Sequence, residues 1–117
     1  MRRPLTLLLL ALAGCGNGPP ALPPIGDADN GKLLLRQFGC GTCHQIPGVA
    51  DAKGRHGPPL AGIGSHIYIA GTLPNTPANL ARFIREPARH APGTLMPDLG
   101  VGEVHANDMA AYLAGLR

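Results

Sequence analysis

The chain has 117 residues, enough for one small domain. Aromatic residues make up 3%, Trp is absent, and Gly (17) with Pro (13) fill a quarter of the positions, so the chain alone can bury only a thin core. The formal charge of +3 includes Arg2 and Arg3. Without them eight basic and seven acidic side chains leave +1, and with no basic run and few aromatics for stacking, a nucleic-acid partner is excluded.

Residues 1–14 read as an export signal. Arg2 and Arg3 form a positive start, and Leu5 to Ala13 is an apolar run too short to span a bilayer. Leu12-Ala13-Gly14-Cys15 resembles a bacterial lipobox. That resemblance implies a diacylglycerol on the Cys15 thiol and a mature chain beginning there; the alternative is an ordinary secretory signal with Cys15 lost or free. Gly16 after the cysteine, in place of an acidic residue, argues for retention at the inner membrane. Residues 15–26 are then a lipidated cysteine and a proline-rich tether, which at ~3.1 Å per residue would hold a domain roughly 30 Å from a membrane surface. Residues 27–117 form the domain itself.

Asp27 or Asp29 caps a predicted helix over about Ala28–Phe38, with Leu33, Leu34 and Leu35 on its apolar side and Gly31 placed for a close crossing by another helix. It leads into Cys40-Gly41-Thr42-Cys43-His44. Two cysteines separated by two residues and followed at once by histidine form the attachment signature of a c-type haem. The thiols add across the two porphyrin vinyl groups, and the adjacent histidine lies under the iron. A thioredoxin-type pair would need alternating strands and helices, and this chain has little strand character. A zinc site would need a second ligand pair, but the remaining cysteine is Cys15. A covalent haem also supplies the apolar centre that the composition lacks.

Residues 45–60 are loop, rich in Gly and Pro. A haem-ligating histidine donates its second ring N–H to a fixed acceptor, and the carbonyl of Pro58 is the candidate; a plain rigid turn at Gly57-Pro58-Pro59 is the alternative. Ala61 to Leu73 reads as a short helix or irregular turn, with Ile63, Ile67 and Ile69 along a haem wall. Thr76-Pro77 starts a helix that runs to Pro87, its stripe formed by Leu80, Phe83 and Ile84. His90 to Asp98 is loop, and Gly102 or Glu103 opens a last helix to about Leu116, with Met109, Tyr112, Leu113 and Leu116 at three- and four-residue steps.

Met96 is the candidate for the iron's sixth ligand. It lies in a loop stiffened by Pro97, 52 residues beyond His44, and a thioether opposite histidine raises the reduction potential. Met109 is the alternative sulfur, on a helical stripe that suits core packing. His56, His66, His90 and His105 are the remaining nitrogen candidates.

With these motifs in hand, the chain resembles a class I bacterial cytochrome c over about Asp29 to Leu116. The likeness rests on Gly31, Cys40-x-x-Cys43-His44, Gly57-Pro58-x-Leu60, Met96-Pro97 and Ala111-Tyr112-Leu113. Leu73 to Pro87, and Leu95-Met96-Pro97, are most similar to the cytochrome c domain of haem–copper oxidase subunit II. The oxidase subunit carries membrane helices and a copper domain before its cytochrome; a lipobox and tether stand in their place here.

The resemblance implies an all-α fold, a small cytochrome c shell of three to five helices around one covalent haem c, with first and last helices crossing so that Gly31 and Leu35 pack against Met109 and Tyr112. It implies His44 and Met96 as axial ligands, Pro58 as the acceptor for His44, and Asn75 near the haem propionates. The function expected is single-electron transfer, without catalysis, by a monomer at the periplasmic face of a membrane. Its redox partners would be of the terminal-oxidase or quinol-oxidising kind. The alternative is a haem enzyme or ligand sensor with an open sixth position.

Overall fold

The structure, a computed structural model, describes residues 25–117; the expectations for the signal, Cys15 and most of the tether lie outside the described residues. Helix α1 spans Ala28–Gln37. Asp27 is its cap, the carboxylate accepting from the backbone N–H groups of Asp29 (2.9 Å) and Asn30 (3.0 Å). Gly31, Leu34 and Leu35 are buried, whereas Leu33 is 60% exposed. Three consecutive leucines cannot share one face at 100° per residue, so the buried set is the i, i+3, i+4 one.

The last helix, α4, spans Glu103–Ala114 and buries Ala106, Met109, Ala110 and Leu113 along one face. It crosses α1 at Gly31. A Cβ there would collide with the carbonyl of Asp108 and sit 2.9 Å from the amide nitrogen of Met109. The crossing is locked by Asp108, a buried carboxylate. It accepts from the backbone N–H of Asp27 at 2.7 Å and from Asn30 Nδ2 at 2.8 Å. Those two bonds, the Asp27 one foremost, hold its pKa below the usual carboxylate range.

Helix α2 spans Pro77–Arg85, capped by the Thr76 hydroxyl, which accepts from the Asn79 N–H at 3.1 Å. Leu80, Ala81 and Ile84 carry it into the same core as Leu35, Met109 and Leu113. It ends before Pro87 as expected, but Pro87 then opens a further short helix, α3, Pro87–His90. Proline at a first helical position restarts a helix as readily as it stops the preceding one.

Between Ala61 and Pro74 the chain forms a 3₁₀ turn at Ile63–Ser65 and a two-stranded antiparallel hairpin, β1 Tyr68–Ile69 with β2 Leu73–Pro74. The hairpin was not expected from the sequence. Its turn has Ala70 and Gly71 both at positive φ (49° and 71°), the geometry that matches strand twist, and alanine gives no signal for it. Of the three isoleucines expected along one wall, Ile69 is in the core, Ile63 is half-buried and Ile67 is 77% exposed. At Ile67 the chain is held at the surface, where its carbonyl accepts from Asn75 N–H.

Candidate haem site

Phe38 and Gly39 end α1, Gly39 in the left-handed region (φ 72°), and the chain turns into a 3₁₀ turn over Cys40–Thr42. The N–H groups of Cys43 and His44 both donate to the Cys40 carbonyl, at 3.3 and 3.0 Å. The turn gathers both thiols and the imidazole within five residues. Cys40 and Cys43 are half-buried and form no disulfide with each other. Burial, above all, pushes the Cys40 thiol up, with a smaller contribution from Cys43 beside it, so the position favours a neutral sulfur.

Residues 45–60 fold back over this turn. Gly54 N–H donates to Gly41 O (3.0 Å), Gly57 N–H to Cys43 O (2.8 Å) and Leu60 N–H to Gln45 O (2.8 Å). The loop closes on itself where Gln45 bridges Lys53, and buries Ile46 and Val49. The result is a 2.7 Å hydrogen bond between His44 Nδ1 and the Pro58 carbonyl oxygen. A carbonyl can only accept, so Nδ1 carries the proton and Nε2 keeps its lone pair. Gly57 lies flat on the ring: a Cβ there would collide with the imidazole.

The other candidates are dispersed. Met96 is half-buried in the irregular stretch 91–102, where its N–H donates to Thr94 Oγ1 at 3.2 Å. Met109 is wholly buried in the core, the packing role that suits its stripe position. His56 and His66 are exposed, and His105 sits edge-on to the Phe38 ring at 6.2 Å. His90 is half-buried at the end of α3, its carbonyl accepting from Thr72 Oγ1 at 3.1 Å. Asn75 uses its side-chain amide as a clamp, Nδ2 donating to the carbonyls of Ile63 (2.7 Å) and His66 (2.8 Å).

One contact was not foreseen in the sequence. The Tyr112 hydroxyl of α4 donates to the Pro47 carbonyl at 2.6 Å. Its stripe position marked Tyr112 for packing, but nothing local indicates where its hydroxyl goes.

The model of the cytochrome c family matches residues 28–117, which is the whole of the helical shell and the Cys-x-x-Cys-His turn. The chain belongs to the cytochrome c family. Membership assigns it a covalently bound haem c, which Cys40, Cys43 and His44 fit, and makes it an electron-transfer haem protein. Over 90 residues it is 32% identical to cytochrome c oxidase subunit 2 of Alkalihalophilus pseudofirmus, covering 77% of this chain and 25% of that protein. The chain thus spans about a quarter of the length of that relative. Among solved structures, cytochrome cH from Methylobacterium extorquens superposes with a TM-score of 0.56 at 27% identity, over 75% of this chain and 97% of that one. SoxXA from P. pantotrophus has the same cytochrome c fold, with a TM-score of 0.63 at 21% identity over 78% and 82% of the two chains. Among the described residues of this cytochrome c, no helix is long and apolar enough to cross a membrane.

The donor set suits the haem chemically. Two thiols free of each other can form thioethers, and an imidazole whose Nδ1 proton is already engaged presents Nε2 to a metal.

Proposed function

We propose that this cytochrome c is an exported, lipid-anchored monohaem carrier that passes single electrons between respiratory redox partners, and is not itself an enzyme. The observation that carries the reading is the 2.7 Å bond from His44 Nδ1 to Pro58 O, with Gly57 against the ring. Together they fix the imidazole's rotation and tautomer, which favours a ligand held the same way in both oxidation states.

The bound haem supplies a ferrous–ferric one-electron couple. Cys40 and Cys43 hold it covalently, which prevents its loss outside the cell. His44 Nε2 and Met96 Sδ are the two side-chain atoms that would hold its iron. Met96, so used, would exclude exogenous ligands, and this separates a carrier from a catalyst or sensor. The Cys15 lipid and the proline tether keep the domain at the periplasmic face of a membrane, raising its effective concentration near membrane partners. The relation to an oxidase subunit supports a respiratory partner, and the low net charge supports brief docking with modest salt dependence.

An absorption spectrum of the oxidised protein tests the reading. Met96 ligation gives a weak sulfur-to-iron band in the wild type that disappears in Met96→Ala. The ferrous wild type should bind carbon monoxide slowly or not at all, and Met96→Ala should bind it readily. Rapid binding by the wild type would establish an open sixth position.

A further inference from the structure

We infer that Tyr112 is a positioning residue for the haem ligand His44, acting through the loop that carries Pro58. The inference rests on the reading of His44 as axial ligand and adds a residue from the far end of the chain to its support.

Pro58 is held by the loop around it. Its carbonyl orients His44, and that loop, residues 45–60, has backbone hydrogen bonds to the haem-binding turn and within itself, and one at its far end, where Leu60 O accepts from Ile63 N–H at 3.2 Å. Those bonds fix the loop to the turn, but both could shift together against the helices. Burial of Ile46 and Val49 resists such a shift without direction, because apolar contact is not directional. Arg36 and Asp51 approach at 3.9 Å, but both are well exposed, and such a pair contributes little. The directional link is the Tyr112 hydroxyl on Pro47 O, 2.6 Å across a separation of 65 residues. Among the described residues it is the one side-chain hydrogen bond joining this loop to the four helices.

The local backbone is shaped to receive it. Gly48, next to Pro47, has φ 79°, and a Cβ there would collide with the Tyr112 hydroxyl. The half-buried Tyr112 packs against the core beneath α4, which holds the ring. The hydroxyl therefore refers the loop to the α1–α4 scaffold, and through the loop it refers the Pro58 carbonyl to His44.

Tyr112→Phe removes the hydroxyl and keeps the ring. Gly48→Ala keeps the hydroxyl and obstructs its approach. In the reduced holoprotein, both should speed solvent exchange of the His44 Nδ1 proton, read by NMR, by ~3- to 10-fold, the worth of one ordinary hydrogen bond. Backbone amides of Leu35 and Leu113 should exchange at the wild-type rate. Weakening the His44–Pro58 bond lowers imidazole basicity, so the reduction potential should rise in both variants. Unchanged His44 exchange and potential in both would overturn the inference. So would equal acceleration at His44, Leu35 and Leu113, which would mean that Tyr112 serves only general stability. A reduced wild type whose His44 ring protons lack the haem ring-current shift overturns the axial-ligand reading, and this inference with it.

Discussion

At His44 the chemistry depends on which nitrogen carries the proton, and a carbonyl acceptor decides it. Pro58 O can take only an N–H, so the ring is held in one tautomer with Nε2 available. Gly57 presses on the imidazole so closely that a single methyl group has no room. Gly57→Ala should therefore displace the ring or the loop. Overpacking of this kind costs ~1–3 kcal/mol, which should appear as a lower thermal midpoint of the holoprotein together with a shifted reduction potential. A variant with wild-type midpoint and potential would contradict the close packing. The Gly57-Pro58 pair was legible in the sequence as a candidate because it follows a haem motif. That its carbonyl reaches the imidazole was decided by the closure of residues 45–60, which depends on hydrogen bonds from Gly54, Gly57 and Leu60.

Among the elements, the crossing of α1 and α4 organises the rest. At Gly31 two effects of substitution oppose each other. Alanine is better than glycine in a helix by ~1 kcal/mol, but its Cβ would meet the rigid backbone of Asp108, at an overpacking cost of ~1–3 kcal/mol. Because backbone yields less than a flexible side chain, the collision should win. Gly31→Ala should lower the denaturant midpoint of the holoprotein without altering the slope of the transition.

Asp108 adds pH dependence to the same crossing. Its folded-state pKa is depressed by the Asp27 N–H and Asn30 Nδ2, with His105 contributing in the same direction. A depressed carboxylate contributes stability that is fully present above the unfolded value, about 3.9, and is lost as pH falls through the lower folded value. Asp108→Asn should thus be less stable than the wild type at neutral pH. The difference should shrink below about pH 4, where the wild type loses this contribution. Thermal midpoints from pH 7 down to pH 3 measure it. A difference that stays constant with pH would remove the charged hydrogen bonds as its cause.

Gly31 was legible as a crossing point because glycine is a poor choice inside a helix; which helix crosses it came from the family resemblance. Asp108 gave no signal, because its partners lie about 80 positions away. The hairpin was missed for a local reason, alanine at positive φ, and Leu33 was placed inside because three leucines in a row blur the helical phase.

For the whole molecule, the proposed anchor and the haem domain are separable. Cys15→Ser should move the holoprotein from the membrane fraction to the soluble periplasmic fraction with an unchanged absorption spectrum, checked by fractionation and spectroscopy. If the variant stays with the membrane once mass spectrometry shows its leader removed, Cys15 is not the anchor point. The sequence by itself determined the cofactor chemistry, the helical shell and the family, because haem attachment, caps and apolar periodicity are written in residues close together along the chain. Only the tertiary structure decided which carbonyl meets His44, how Asp108 locks the first helix to the last, and that Tyr112 reaches the loop beside the haem turn. These contacts join residues 14 to 81 positions apart, and no local pattern encodes the direction in which two distant segments meet.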